Sequence, residues 1–434
     1  MKKVTKDKGI TLIALVITII VLLILAGVSI ATLTGQNGIL TQAQTAKENT
    51  ELSSEKEGIE LAAQSSMTKN PDTLEITKIN LDEGIKEQLG NDREFETTDN
   101  KDGSFLVNLK NPDRMYYVDS EGEVISEENM LKISTVEELK TFRDNVNSGN
   151  SYEGWYVYLT NDIELDINQE WEPIGLYLNE NSSPQDETNK PFSGVFDGNG
   201  HKVDGIYINT TDKVQGLFGL VNNGKIMNTE IGKDGNIVKV GNASAGLVGY
   251  LYNNSKVINC CNKININATN QFMIGGIAGQ VYDNCSIKRC YNEGEIIADN
   301  NVGGIAGNDD GNSIIKDCYN IGSATGIADT SSSGGIAGDV QNNSKVINCY
   351  SIGYITGNDL TGSIVGQLRI STKGKVENCY YLENTVNGAN ETVIREEITV
   401  KTSEELKSMA STLGSAFKED TNNINNGYPI LSWQ

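Results

Sequence analysis

The chain has 434 residues, enough for two or three domains, and its 58 acidic against 35 basic side chains give a formal charge of −23. A surface so acidic argues against direct contact with nucleic acid, which needs clustered Lys and Arg, and suits solubility outside a cell. Forty-five Gly against six Pro, with abundant Asn, point to many turns and few helices beyond the first.

In chain order, Lys2, Lys3, Lys6 and Lys8 precede Gly9, and residues Ile10 to Leu33 carry no charge. Such a run can cross a hydrocarbon core of about 30 Å as a helix. Its lysine-rich flank predicts a cytoplasmic amino terminus and an extracellular remainder. A secretory signal places its small-residue cleavage site after the apolar core. Here the break, Lys8-Gly9, comes before that core, so a cut would leave the helix attached. The run Lys8-Gly9-Ile10-Thr11-Leu12-Ile13, with a polar helix continuing to residue 70, resembles the amino-terminal segment of type IV prepilins and pseudopilins. The resemblance implies processing by a prepilin peptidase between Gly9 and Ile10, methylation of the new amino terminus, and other pilin subunits as partners. Removing the leader, net +3, leaves −26 on the mature chain. Two positions depart from the family: Ile10 stands where most members have Phe, and Ala14 where most have Glu. In the family that Glu pairs with a neighbour's new amino terminus, so Ala14 suits a minor, tip-located or merely anchored subunit. The alternative is a signal anchor that is never cut.

Residues 71–130 read as a small α+β connector, with strand patterns at Phe105-Leu106-Val107 and Met115-Tyr116-Tyr117-Val118. Residues 131–213 read as a capping helix and the first irregular coils. Ser134-Thr135-Val136-Glu137-Glu138-Leu139 is a capped amphipathic start, and Trp155 to Leu159 is a first strand. A turn resembling those of β-helix surface proteins lies at Pro191 to His201.

Residues 214–388 repeat six times. The anchor is Gly-hydrophobic-small-Gly, at Gly216 and Gly219, Gly246 and Gly249, Gly276 and Gly279, Gly304 and Gly307, Gly335 and Gly338, then a degenerate Ser363 and Gly366. The closing glycines fall 28 to 31 residues apart, the mark of stacked units that cannot bury their apolar faces singly. Short β-branched runs such as Lys256-Val257-Ile258, separated by Asn and Gly, are strand and turn signals. The expected fold is therefore mainly β: a parallel β-helix behind a long pilin-like transmembrane helix and the small α+β connector. The units resemble the GLUG repeats of bacterial surface proteins. Their glycines are read as structural, allowing coils to stack closely and permitting positive φ.

About eleven residues past each closing glycine stand Cys260, Cys290, Cys318, Cys349 and Cys379, expected as a column of buried thiols acting as apolar spacers. Cys261 and Cys285 stand outside it. Tyr291, Tyr319, Tyr350 and Tyr380 should form a parallel column, alternation placing it opposite the cysteines. Facing outward it would offer a platform for a sugar ring; otherwise the tyrosines would be partly buried, covering a coil edge. A bulge or corner is expected just before each Cys.

Residues 389–434 read as a carboxyl-terminal cap, with a helix at Thr402-Ser403-Glu404-Glu405-Leu406. Trp155, Trp171 and Trp433 lie outside the repeats, where bulky caps over open ends are needed. No catalytic residue, metal site or cofactor is expected. His201 reads as a turn residue, Asp309-Asp310 as part of a turn, and Asp283, Asp317 and Asp339 as occupying different registers. The expected function is that of a membrane-anchored or pilus-associated minor pilin-like adhesin, with no nucleic-acid partner. It would sit on the surface of a Gram-positive bacterium and bind an extracellular glycan or protein. A structural spacer and a tethered polysaccharide-degrading enzyme are the alternatives.

Overall fold

The computed structural model describes residues 18–23, 39–71, 73–178, 183–210, 214–358, 360–387 and 398–434. The processing site at Gly9 and Ile10 lies outside them, as does most of the apolar run 10–33, of which residues 18–23 are helical. Among the described residues no helix is long and apolar enough to cross a membrane. The chain forms two compact units, Met1–Ser126 and Glu127–Gln434.

In the first unit, a helix at Ile39–Lys69 and a second at Lys78–Leu89 pack on a four-stranded antiparallel sheet. Its strands, Phe105–Leu109 and Arg114–Val118 among them, follow in sequential order. The second helix starts where Thr77 accepts from the Asn80 N–H, satisfying an orphan donor of the first turn. Ile59, Ala62 and Ala63 of the long helix join Leu81, Ile85, Val107 and Tyr116 in one core. The helices touch closely at Gly84, where a Cβ would fall 2.9 Å from Ala62. Glu55 ties the helix to the sheet, accepting from Arg93 at 2.7 Å, Arg114 at 2.9 Å and the Tyr116 hydroxyl at 2.8 Å. Residues 40–51 of the same helix are exposed on every side. Ile59, Ala62 and Ala63 thus make the long helix part of this α+β unit, whose core reaches back before residue 71.

The second unit is a parallel β-solenoid. One nine-stranded sheet runs from Met130–Ile133 to Lys375–Glu377, and another from Ile163–Glu164 to Ile398–Lys401. A ten-stranded sheet and a six-stranded sheet close the coil. Successive coils pair in parallel at one register per repeat, for instance Ile226 with Val257 and Val257 with Ile287. They therefore rise by roughly 4.8 Å each. Inside, Leu247, Ile277, Ile305, Ile336 and Ile364 stack with Val257, Ile287, Ile315 and Val346 in a continuous core.

The helix foreseen near Ser134 runs over Val136–Asn147 with Thr135 and Glu138 forming a capping box. It lays Leu139, Phe142 and Val146 against Phe192 and Phe196 of the early coils. The carboxyl-terminal segment behaves differently from the expected end cap. From Ser403–Lys407 to Gln434 it lies along the flank of the coils, burying Leu406, Leu413, Phe417 and Leu431 against Tyr291, Tyr319 and Tyr350. Trp433 donates to the Arg289 carbonyl at 2.9 Å, 144 residues away in sequence, so it straps the middle of the solenoid.

Candidate functional site

The five cysteines form the foreseen column, and all seven thiols are free and buried. Their role goes beyond filling space. The residue before each Cys (Asn259, Arg289, Asp317, Asn348, Asn378) has φ between 52° and 56°, which is the expected corner. Each thiol donates to the carbonyl two residues back, at 3.2 Å for Cys260, Cys290, Cys318 and Cys349. In the first copy Thr229 makes the same bond to Met227 at 2.8 Å, so the corner requires a small donor. Burial pushes the Cys290 and Cys349 thiols up, keeping them protonated. Cys261 pairs in register with Tyr291 and so belongs to the tyrosine column. Cys285 occupies a serine column, its N–H donating to Ser313 as Ser313 donates to Ser344.

The tyrosines do face away from the cysteines, as alternation requires. Tyr291 and Tyr319 stack at 4.9 Å, and Tyr319 and Tyr350 at 5.1 Å. Yet the strap covers them: Gln434 accepts from the Tyr319 hydroxyl, the Pro429 carbonyl accepts from Tyr350, and Asn425 donates to it. With the three rings at most 4% exposed, no sugar can stack there.

The repeat glycines are structural, but through close approach alone. None of Gly216, Gly219, Gly246, Gly249, Gly276, Gly279, Gly304, Gly307, Gly335, Gly338 and Gly366 has positive φ. A Cβ on Gly276 would sit 2.3 Å from Asn292 Oδ1, and one on Gly279 would sit 2.3 Å from the Ala243 carbonyl carbon. Asn292 belongs to a buried ladder absent from the sequence reading. Asn262 donates to Asn292 and Asn292 to Asn320, both at 2.8 Å, and each also donates to its own i+2 carbonyl. An Asn two residues after the column cysteine was its signal.

His201 lies 3.0 Å from Asp162, which also accepts the Lys202 N–H. Those two contacts hold the Asp162 carboxyl below its usual range and pin the Asp197–His201 turn. Near Trp171 a cleft of about 230 Å³ is lined by Lys140, Asp166 and Glu170, but Arg143 covers the Trp171 ring and the indole N–H is taken by Leu217.

Asp309 and Asp310 do not lie in the expected turn. Asp309 and Asp310 lie within the strand Ala306–Asp310 of the six-stranded sheet, because the chain keeps pairing with Ala278–Tyr282 on one side and Ala337–Val340 on the other. Asp309 takes an inward position shared with Val281 and Val340. Asp310 takes the outward position of Tyr252 and Tyr282.

That outward face gathers side chains the sequence reading missed. Tyr177 stacks on Tyr250 at 5.7 Å, Tyr250 meets Tyr252 edge-on, and Tyr252 stacks on Tyr282 at 5.9 Å. The next column holds Gln280, Asn308 and Asp339 in register. Asn308 donates to Gln280 at 2.9 Å, and Arg369 clasps Asp339 through Nε and Nη2 at 2.8 and 2.7 Å. Burial raises the Asp339 carboxyl, and the Arg369 contacts oppose that rise. Asp310 accepts from Gln341 at 3.1 Å and Asn342 at 2.7 Å. Aromatic rings, amides and carboxylates thus alternate along several coils of one broad face. Its signal was a Tyr or Asp three residues after three of the six closing glycines, at Tyr252, Tyr282 and Asp310.

No family model matches this chain, and no curated protein matches it. Among solved structures it is similar to a crystal structure of a Bacteroides ovatus protein provisionally described as an immunoglobulin A1 protease. The two share 21% sequence identity with a TM-score of 0.49, over 71% of this chain and 94% of that one.

Proposed function

We propose that the protein is a surface-displayed binding protein whose solenoid holds a glycan along the outward face of the six-stranded sheet. The observation that carries this reading is Tyr282, 37% exposed and backed by the stacked Tyr252, with Asp310 in register on the next coil. Aromatic faces receive the C–H side of a sugar ring, and amides and carboxylates pair with its hydroxyls. A polymer suits this site because outward positions recur in register along the coils, filled in turn by Asn222, Tyr252, Tyr282 and Asp310. Asp310 and Asp339 lie on neighbouring strands, as in a carboxylate pair for hydrolysis, but a polysaccharide-degrading role has less support. Asp339 is committed to Arg369, and Asp310 is held by two amides.

The same reading takes residues 10–33 as the anchor, processed after Gly9 as in prepilins. The residue pattern there and the exposed first half of the helix Ile39–Lys69 support it. A start at Ile10 in the mass spectrum of the amino-terminal peptide is the expected result; a retained Met1 or Lys2 would leave a plain anchor.

Binding is tested by retention of the full chain on an array of surface glycans. Wild type is expected to be retained, and a variant combining Tyr250→Ala with Tyr282→Ala to be lost while its circular dichroism stays unchanged. Equal retention of that variant would contradict the assignment of this face. Retention on protein-coated wells alone would replace the glycan by a protein partner.

A further inference from the structure

Resting on the glycan reading above, we infer that the step between Tyr282 and Asp310 is a subsite for one neutral pyranose ring. The column Asn222, Tyr252, Tyr282, Asp310 changes size abruptly from one coil to the next. Tyr252 lies parallel to Tyr282 within 8° and covers one face of its ring. On the other side the register partner is Asp310, too short to cover the ring, and the following residue is Gly311. Gly311, with a φ of +68°, adds no side chain there; a Cβ would meet the Asp283 backbone nitrogen at 2.8 Å and lie 3.4 Å from a Tyr282 ring carbon. Tyr282 is 37% exposed, whereas Tyr252 is 4% exposed.

A pyranose is about as long as one coil is high, roughly 5 Å, so a ring laid on Tyr282 occupies the level that a third tyrosine would have filled. Its hydroxyls would then meet Asp310. Two of that carboxylate's roughly four acceptor positions are used by Gln341 and Asn342, which fix its orientation and leave others for sugar O–H donors. In the adjacent column Asn308 is buried, and its amide donates to Gln280 at 2.9 Å. The charge nearby selects against uronic acids. Asp283 and Asp310 flank the step, and the Arg369 guanidinium is engaged by Asp339. An anionic sugar would meet repulsion from these two carboxylates.

Affinity electrophoresis tests this with the full chain in neutral detergent, run through native gels containing laminarin, xyloglucan or polygalacturonate. The expected result is retardation by at least one of the two neutral polymers and none by polygalacturonate. Tyr282→Ala and Asp310→Ala should each weaken that retardation by about tenfold, the size expected for losing one stacking or charged hydrogen-bonding contact. Tyr282→Phe, which keeps the ring and the fold, should stay within about twofold. Retardation unchanged by Tyr282→Ala and Asp310→Ala but lost in Tyr250→Ala would overturn the subsite and leave the glycan reading standing. Retardation by polygalacturonate alone would overturn the neutral-sugar assignment. Failure of all three gels would overturn the subsite and the glycan reading together.

Discussion

Replacing Asp309 by Val should stabilise the solenoid by about 2–4 kcal/mol at neutral pH, the range expected when an unpaired acid leaves a protein interior. Asp309 is fully buried, and neither carboxyl oxygen has a hydrogen-bond partner. Its register neighbours Val281 and Val340 show which side chain the position accommodates. Burial, with Asp310 beside it, drives the carboxyl well above its ordinary range. The sign of the pH effect follows. A carboxyl whose folded pKa exceeds its unfolded value favours the fold fully below about pH 4. That contribution is lost as pH rises from there toward the folded pKa. Wild type should therefore weaken relative to Asp309→Val between pH 4 and 7, at up to about 1.4 kcal/mol per pH unit within the window. Urea unfolding of both proteins at the two pH values measures it. A variant less stable than wild type, or a difference that ignores pH, would sink the argument.

The second large effect has the opposite sign. Gly279→Ala should cost about 3 kcal/mol or more, because its Cβ would lie 2.3 Å from the Ala243 carbonyl carbon and 2.4 Å from the Ser244 nitrogen. Both atoms are backbone of the preceding coil, and neither can retreat without spreading strands paired in register, Val248 with Ala278 among them. Gly200→Ala provides the contrast. Nothing lies within 4 Å of its Cβ, and the penalty comes from a φ of +78°, worth about 1 kcal/mol. Thermal unfolding should rank Gly279→Ala well below Gly200→Ala. The reverse order would mean that coil spacing is not what these glycines protect.

The parts of this fold that repeat were the parts that could be read. Gly276-Ile277-Ala278-Gly279 and its copies announced stacked parallel coils, because each strand meets its own repeat and the same steric demand recurs at each level. The corner before each Cys was legible for the same reason. What could not be read was contact between a repeat and a segment that occurs once. Whether Tyr319 and Tyr350 met solvent depended on Gln434, Pro429 and Asn425, 75 to 115 residues later and without periodicity. Tyr177, which extends the aromatic row, likewise comes from a single loop before the repeats. Asp309-Asp310 failed for a different reason. Two acids read as a turn by composition, while pairing with Val281 and Tyr282 kept them in a strand and drew one inward. At that position the fold overrode the local preference, and the cost is the buried acid that the first prediction measures.

A binding surface on the outward face of the six-stranded sheet should be visible in hydrogen–deuterium exchange of the full chain, with and without a polysaccharide that retards it. Exchange should slow in residues 248–252, 278–282 and 306–310, with residues 403–434 unchanged. Protection confined to the tyrosine flank at residues 291–292, 319–320 and 350–351, or to the strap that covers it, would contradict it.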